Sequence, residues 1–275
     1  MTVRRQEDGM ERAVLRHAEQ VMGTVVSFDL RRADDRAVDG LRRAVAWLHR
    51  VDRVFSTYRP DSQISRLGRG ELTVGECDPD VAEVLALGAA AERDGDGFFS
   101  VRPGGPDGPG GGLDPSGVVK GWAVERASRI LLGAGSADHS VNGGGDVQTA
   151  GEPEPGRGWS LAVAHPLHPG AFATVVRGSG IALATSGTAE RGEHILDPHT
   201  GRPVPAGLLS VSVVGESLTA ADIAATTAFA MGPGAGRAWL ETRPGLEGFA
   251  VTAEGRAWWT PGFPAYVPEG LTGAP

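Results

Sequence analysis

The amino-acid sequence predicts an α+β fold. Segments rich in β-branched residues and segments with apolar residues at helical spacing both occur along the 275 residues, but they do not alternate regularly. Regular strand and helix alternation would indicate a doubly wound parallel sheet, so its absence favours the α+β class. The 40% hydrophobic content is enough to bury the core of one large domain or two small ones.

The first elements are predicted with clear boundaries. Thr24–Leu30 is rich in β-branched side chains and alternates in part, which predicts a strand that opens the fold. Residues 34–54 place apolar residues at helical spacing with arginines opposite, which predicts an amphipathic helix. Pro60-Asp61-Ser62 then predicts a turn and a cap for a short second helix.

Further elements follow in mixed order. We expect a third helix over Pro79–Asp94, a short strand over Phe98–Val101, a flexible Gly/Pro loop over residues 102–112, and a turn at Leu113 that leads into another helix. Strands are expected around residues 160–164, 172–176, 181–185 and 209–214. The alanine-rich run 217–232 is predicted to be helical, and Trp258-Trp259 lies in a final strand before an irregular end.

Composition excludes several classes of function. The net charge is −8, with 34 acidic and 26 basic residues and no basic block, so a nucleic-acid surface is not expected. Cys77 is the single cysteine, which excludes internal disulfides and cysteine-based metal clusters. Residues 1–19 carry mixed charges without the apolar core of a signal peptide, and no segment approaches the ~20 apolar residues of a membrane span. We therefore expect a cytoplasmic protein without membrane insertion.

Asp222 and Thr226 form a candidate metal site. In a helix, residues four apart share one face, and a carboxylate beside a hydroxyl supplies two hard oxygen ligands suited to Mg²⁺. The alternative is that Asp222 sits in the first turn, three residues after an N-cap at Thr219.

Two segments have the character of backbone cradles for an anionic or planar ligand. Asp114-Pro115-Ser116-Gly117 leads into a helix whose free N–H groups, with Lys120 one turn on, suit a phosphate; the alternative is an ordinary cap with a solvated lysine. Gly143-Gly144-Gly145 lets backbone approach a ligand closely, although a plain turn explains it equally. Neither a GxGxxG fingerprint nor a GxxxxGK[ST] phosphate loop is present.

The remaining candidates are individual side chains. A serine-hydrolase pairing of Ser186 with His194 lacks the GxSxG elbow, and a zinc site lacks paired histidine spacing. His194 is therefore either a functional or a structural histidine. Tyr58, in a polar turn, is the best candidate for stacking on an aromatic cofactor.

Short segments within residues 20–255 occur in an informative order. They are Met22-Gly23-Thr24, Phe55–Ser65, Leu113–Glu125, Val141–Val147, Thr185-Ser186-Gly187 with His194–Pro198, and Ala221–Thr226. Taken in that order, they resemble six motifs of the FAD:protein FMN transferase family, the ApbE-like flavin transferases. These motifs are MGT, FS-x-Y-x-x-DSEIS, DLGGIAKGYAVD, NxGGD(V/I), TSG with HIIDP, and ADALATA. One such match is weak, whereas the ordered series is specific.

The resemblance implies a single compact α+β domain over residues 20–262, with mixed or antiparallel sheets flanked by helices, an extension at 1–19 and an irregular tail at 263–275. It implies an enzyme that binds FAD and Mg²⁺, cleaves the pyrophosphate, releases AMP and attaches FMN by a phosphodiester bond to a threonine or serine hydroxyl. The implied partner is an acceptor flavoprotein with a Thr/Ser flavinylation motif.

The resemblance also assigns residues. The metal ligands would be Asp222, Thr226 and a backbone carbonyl that we place at Gly117, and the candidate catalytic residues are Asp222 and His194, the latter for proton transfer or orientation. Cofactor contacts are expected at Met22, Tyr58, Phe98, Phe99, Ser100, Asp114, Lys120, Gly144, Ser186 and Ile195.

The chain departs from the family pattern in one region. Residues 98–103 lack the aspartate that members carry after the aromatic residue of this strand. The following segment is shortened to residues 102–112, so the resemblance does not assign the residues that contact the adenine of FAD. Two other functions therefore remain: an FAD pyrophosphatase that forms FMN and AMP with water, and an FAD-binding protein without catalysis. Acceptor-free turnover would identify the first, and FAD binding without AMP release the second.

Overall fold

The computed structural model describes residues 14–102, 112–187, 196–197, 202–204 and 207–270. The helices are α1 (Asp35–Phe55), α2 (Gln63–Gly68), α3 (Pro79–Asp94), α4 (Ser116–Gly133), α5 (Leu218–Met231) and α6 (Pro233–Leu240). The strands are β1 (Leu15–Val21), β2 (Thr24–Leu30), β3 (His139–Gly143), β4 (Asp146–Ala150), β5 (Trp159–Ala164), β6 (Phe172–Gly178), β7 (Ala182–Gly187), β8 (Leu196–Asp197), β9 (Arg202–Pro203), β10 (Leu208–Gly215), β11 (Glu247–Thr252) and β12 (Ala257–Trp259).

The centre of the fold is an eight-stranded antiparallel sheet. Its strand order is β1-β2-β3-β4-β7-β10-β11-β12, and each neighbouring pair is antiparallel. β5 and β6 form a separate antiparallel ribbon, and β8 pairs with β9. The predicted α+β class with antiparallel sheets flanked by helices is confirmed.

The two faces of the sheet bury different layers. On β7, Ala182 and Ala184 join the core cluster that contains the helices, whereas Leu183 between them joins the cluster formed with the β5–β6 ribbon. On β10, Val213 and Val214 divide in the same way. Because successive side chains of a strand point to opposite faces, the sheet is covered by helices on one side and by the ribbon on the other.

The predicted helices form where their caps and apolar faces indicate. Asp34 caps α1 by accepting a hydrogen bond from Ala37 N–H at 2.9 Å, and Ser62 caps α2 by accepting one from Ser65 N–H at 3.1 Å. α1 packs against α4, where the Trp47 indole N–H donates to the Ala123 carbonyl at 3.0 Å. The boundaries of α3 are those predicted.

Two tight hairpin turns lie side by side at one end of the sheet. Met22 and Gly23 connect β1 to β2 with φ values of 57° and 71°, and Gly144 and Gly145 connect β3 to β4 with φ values of 62° and 96°. Two consecutive positive φ values are typical of two-residue hairpin loops. Gly144 N–H donates to the Val25 carbonyl at 3.3 Å, which joins the two turns.

Several sequence expectations are wrong. β1 precedes Thr24–Leu30 and pairs with it along its whole length, so residues 15–19 belong to the sheet rather than to an extension. Phe98–Val101 is not a strand, because no neighbouring strand pairs with it within the described residues. Phe263–Tyr266 is a 3₁₀ helix with Phe263 buried in the core, so an irregular tail does not begin at residue 263.

Most of the predicted 102–112 loop lies outside the described residues. Within the described chain, none of the helices combines the length and the apolar composition that crossing a lipid bilayer requires.

Candidate functional site

A cavity of about 640 Å³ opens at the end of the sheet that carries the two hairpin turns. Every predicted site residue that the structure describes lines it: Met22, Tyr58, Phe98, Phe99, Ser100, Asp114, Gly117, Lys120, Gly144, Ser186, Asp222 and Thr226. The predicted residues His194 and Ile195 lie outside the described residues. Residues from distant parts of the sequence therefore meet at one site.

Asp222 lies at the contact between α5 and α4. Its side chain is buried, and its Oδ2 accepts a hydrogen bond from the backbone N–H of Gly121 at 3.0 Å. Thr226, one turn further along α5, has its Oγ1 3.0 Å from Ser186 Oγ on β7. The predicted pairing of Asp222 and Thr226 on one helix face is present, and both side chains lie at the cavity.

The cap of α5 differs from the expected one. Ser217 is the N-cap and its Oγ accepts a hydrogen bond from Ala220 N–H at 3.3 Å, so the expected cap at Thr219 is wrong. Asp222 is the fifth residue of a helix that begins at Leu218, and its carboxylate contacts α4 rather than its own first turn. The capping explanation of Asp222 is therefore excluded.

Lys120 joins two buried carboxylates. Its ammonium forms an ion pair with Asp146 and lies 3.7 Å from Asp222 Oδ1. Asp146 is itself held by Thr185, whose backbone N–H donates to Asp146 Oδ1 at 2.9 Å. Only a quarter of the Lys120 side chain is exposed, so the alternative of a solvated lysine is wrong.

The protonation of Asp222 depends on these neighbours. Burial raises the pKa of Asp222 to about 7, the Lys120 ammonium opposes this rise, and the Asp146 carboxylate adds to it. A further cation placed beside this buried carboxylate would favour its ionised form.

The donor set fits a magnesium ion. Asp222 and Thr226 offer a carboxylate and a hydroxyl, and the Gly117 residue of the first turn of α4 lines the same cavity. Among the residues that the structure describes, no group of three or more His, Cys, Asp or Glu is arranged to hold a metal. Mg²⁺ tolerates such a sparse protein shell, because it retains several waters and takes substrate phosphate oxygens as ligands.

Part of the cavity wall is aromatic. The Tyr58 side chain is 97% exposed at the rim, whereas Phe99 is buried and lies so close to α4 that a Cβ on Gly117 would be 3.3 Å from its ring. Met22 reaches the cavity from the left-handed position of its hairpin turn. An exposed aromatic ring beside an apolar wall suits a planar ligand.

The start of α4 faces the cavity with an incomplete cap. Asp114 Oδ1 accepts a hydrogen bond from Ser116 N–H at 3.0 Å, and Pro115, at the N-cap position, has no capping side chain. Asp114 is thus a local cap that also lines the cavity. The N–H groups of Val118 and Val119 both donate to the Pro115 carbonyl, so the start of α4 offers an anion the positive end of its dipole rather than a set of free N–H groups.

Sequence reasoning missed some lining residues. Asp146 follows the glycine turn between β3 and β4 and lies within the segment Val141–Val147. Its role was missed because its ion pair with Lys120 is a tertiary contact. The β5–β6 ribbon also lines the cavity, with Ala162, Ala164 and His165. None of these residues belongs to one of the recognised sequence motifs.

Comparison with known proteins gives an independent result. Residues 22–105 and 106–250 match the model of the ApbE family. The chain is similar to the FAD:protein FMN transferase of Escherichia coli K12, with 29% identity over 167 residues that cover 56% of this chain and 47% of the relative. It is also similar to the enzyme of that name from Rhodobacter capsulatus, with 38% identity over 122 residues that cover 42% of this chain and 23% of the relative. The chain therefore spans about half the length, or less, of these curated relatives.

Solved structures agree with the fold. The Pseudomonas stutzeri flavinyl transferase ApbE in its apo form matches with a TM-score of 0.81 and 26% identity over 96% of this chain and 100% of that chain. The Vibrio cholerae flavin transferase ApbE matches with a TM-score of 0.78 and 22% identity over 93% of this chain and 100% of that chain. The predicted compact α+β domain is the architecture of these proteins.

Proposed function

This chain belongs to the ApbE family, and from that premise we propose that it is a Mg²⁺-dependent FAD:protein FMN transferase. It would cleave FAD, attach FMN to a threonine or serine hydroxyl of an acceptor flavoprotein and release AMP. The observation that carries the proposal is that one cavity is lined both by aromatic side chains and by Lys120, Asp222 and Thr226. Such a lining can hold both a planar ring and a charged pyrophosphate.

The aromatic side would bind the flavin. Met22, Tyr58, Phe98 and Phe99 supply apolar surface, and Tyr58 has a ring exposed for stacking. The hairpin turn at Gly144 lines the cavity, and the turn requires glycine because a Cβ there would lie 2.7 Å from Thr24 Oγ1.

The charged side would bind the pyrophosphate. The start of α4 offers phosphate oxygens the positive end of its dipole, and Lys120 offers them an ammonium. Asp222, Thr226 and the Gly117 carbonyl would hold Mg²⁺, which when bound neutralises negative charge on the phosphate oxygens.

The chemistry is a phosphoryl-type transfer. The oxygen of the acceptor hydroxyl forms a bond to the FMN phosphorus, the bond from that phosphorus to the bridging oxygen breaks, and AMP leaves with that oxygen. The acceptor hydroxyl loses its proton in the process, and we propose His194 as the group that accepts or orients it. Lys120 would hold the pyrophosphate in place during the exchange.

The test is product analysis with FAD and Mg²⁺, with and without an acceptor segment that contains a threonine or serine. The proposal predicts AMP release that depends on the acceptor and equals the covalently bound flavin. FMN and AMP formed without acceptor would instead indicate a pyrophosphatase. FAD bound with no AMP under either condition would indicate a binding protein and would contradict the proposed transfer.

A further inference from the structure

Glu125 lies on α4, and its carboxylate is buried where α4 meets the start of α5. The residue is 7% exposed. Its Oε2 accepts hydrogen bonds from Ser217 Oγ at 2.7 Å, from Thr219 N–H at 2.9 Å and from Thr219 Oγ1 at 2.6 Å. One carboxylate oxygen of α4 thus receives three donors from the first turn of α5.

These contacts give α5 a cap that comes from another helix. The first N–H groups of a helix have no partner within the helix, and negative charge is favoured beside them. Burial raises the pKa of Glu125, but the hydrogen bonds from Thr219 and Ser217 and the charge of Arg129 outweigh it, so that the pKa lies below its usual range. Glu125 is therefore an ionised carboxylate that ties the start of α5 to α4.

The same faces of the two helices carry the proposed metal ligands. Gly117, Gly121 and Glu125 follow one another at intervals of four along α4 and so share one face. Gly121 reaches Asp222 with its N–H, and Glu125 reaches Thr219, which precedes Asp222 by three residues on α5. The contact at Glu125 and the contact at Asp222 therefore belong to one helix interface and set one register.

We propose that Glu125 is a positioning residue, which fixes the height and rotation of α5 on α4 so that Asp222 and Thr226 stand opposite the Gly117 carbonyl. The inference rests on the proposed function, because it concerns the Mg²⁺ ligands of that reaction. Glu125 itself does not line the cavity. It acts through the helix that it caps.

The test compares Glu125→Gln and Glu125→Ala with the wild-type protein. We expect the Mg²⁺ concentration for half-maximal turnover to rise about tenfold in Glu125→Ala and less in Glu125→Gln, which keeps one acceptor oxygen. The rise in Tm that Mg²⁺ produces in the presence of FAD should shrink in the same order. FAD affinity without Mg²⁺, measured by quenching of flavin fluorescence, should stay within twofold, because the aromatic wall is untouched.

Ser128→Ala is the matched control. Ser128 is a buried polar residue of the same helix, but its Oγ lies 2.8 Å from Nε2 of His139, on β3 rather than on α5. It should lower Tm without changing the Mg²⁺ requirement. An unchanged Mg²⁺ requirement in both Glu125 variants, or an equal shift in Ser128→Ala, would overturn the positioning role alone. A wild-type protein that shows neither Mg²⁺-dependent turnover nor a Mg²⁺-dependent Tm would overturn the proposed function and the positioning role together.

Discussion

The backbone N–H of Gly121 on α4 donates a hydrogen bond to the Asp222 carboxylate on α5 over 3.0 Å. A Cβ at Gly121 would lie 2.8 Å from the Asp222 Cβ and 2.8 Å from the Leu218 carbonyl oxygen. The two helices therefore approach so closely that no side chain fits between them. This approach holds a fully buried carboxylate at a defined place in the cavity wall.

Gly121→Ala should separate α4 from α5. Overpacking of a tight contact costs about 1–3 kcal/mol, and here it also displaces Asp222. We expect a free energy of unfolding lower by about 2 kcal/mol in urea denaturation, and loss of most of the transfer activity. Gly133→Ala on the same helix is the control, because a Cβ there meets nothing within 4 Å. Equal behaviour of the two variants would contradict the close approach.

Lys120→Met removes the cation shared by Asp146 and Asp222. Removing one partner of a buried ion pair leaves an uncompensated charge, and we expect a loss of roughly 3 kcal/mol in the free energy of unfolding without Mg²⁺. FAD should also bind more weakly. Arg157→Met, which removes an exposed pair with Glu154, should change stability by less than about 1 kcal/mol. An unaltered stability of Lys120→Met would show that Lys120 does not compensate these carboxylates.

Met22→Gly separates stability from ligand binding. The left-handed conformation costs a non-glycine residue about 1–2 kcal/mol, so its relief offsets the packing that Met22 loses, and the free energy of unfolding should change by about 1 kcal/mol or less. FAD affinity should fall several-fold, because Met22 lines the cavity. Val25→Ala, at an exposed position of β2, should alter neither quantity. FAD affinity that is unchanged in Met22→Gly would remove Met22 from the flavin site.

His139 predicts a dependence of stability on pH. It is buried, with Nδ1 2.8 Å from the Ser136 carbonyl oxygen and Nε2 2.8 Å from Ser128 Oγ, and burial lowers its pKa below 6.5. The unfolded chain therefore takes up a proton near pH 6.5 that the folded chain does not. The contribution of His139 to the free energy of unfolding is complete above this pH and is lost as the pH falls towards the folded-state pKa. The slope is at most about 1.4 kcal/mol per pH unit for this one proton.

Urea denaturation from one unit above to one unit below pH 6.5 checks this expectation. His139→Asn keeps a side-chain donor for the Ser136 carbonyl but has no proton to gain, so its stability should fall less over the same interval. The other histidines contribute equally in both proteins. An identical slope in the two would contradict the role of His139.

The sequence predicted the elements whose signals are local. α1 and α3 have caps at Asp34 and Asp78 and regular apolar spacing, and they were predicted closely. β1 was missed because two of its partly buried positions carry His17 and Glu19, which hides the alternation typical of a strand. α6 was missed because its first turn is Pro233-Gly234-Ala235-Gly236, a composition that indicates a turn.

The same division holds for the site. Each sequence motif is a local pattern that could be recognised, and the residues of these motifs do line one cavity. The pairing of Lys120 with Asp146 and the cap that Glu125 gives to Thr219 join residues far apart in the sequence, and no local pattern contains them. Physical contact across the fold, rather than residue type, defines these parts of the site.

Asp222→Asn separates the charge proposed to hold Mg²⁺ from the fold of the cavity. The amide oxygen of asparagine can still accept the Gly121 N–H, so the fold and the flavin wall are preserved, while the negative charge for Mg²⁺ is lost. With FAD, Mg²⁺ and a cognate acceptor, in-gel flavin fluorescence and the intact mass of the acceptor should show an FMN adduct on a threonine or serine with the wild-type protein. Asp222→Asn should bind FAD but form no adduct. An adduct formed at the wild-type rate by Asp222→Asn would contradict the metal-binding role of Asp222, and no adduct with the wild-type protein and its cognate acceptor would contradict the proposed transfer.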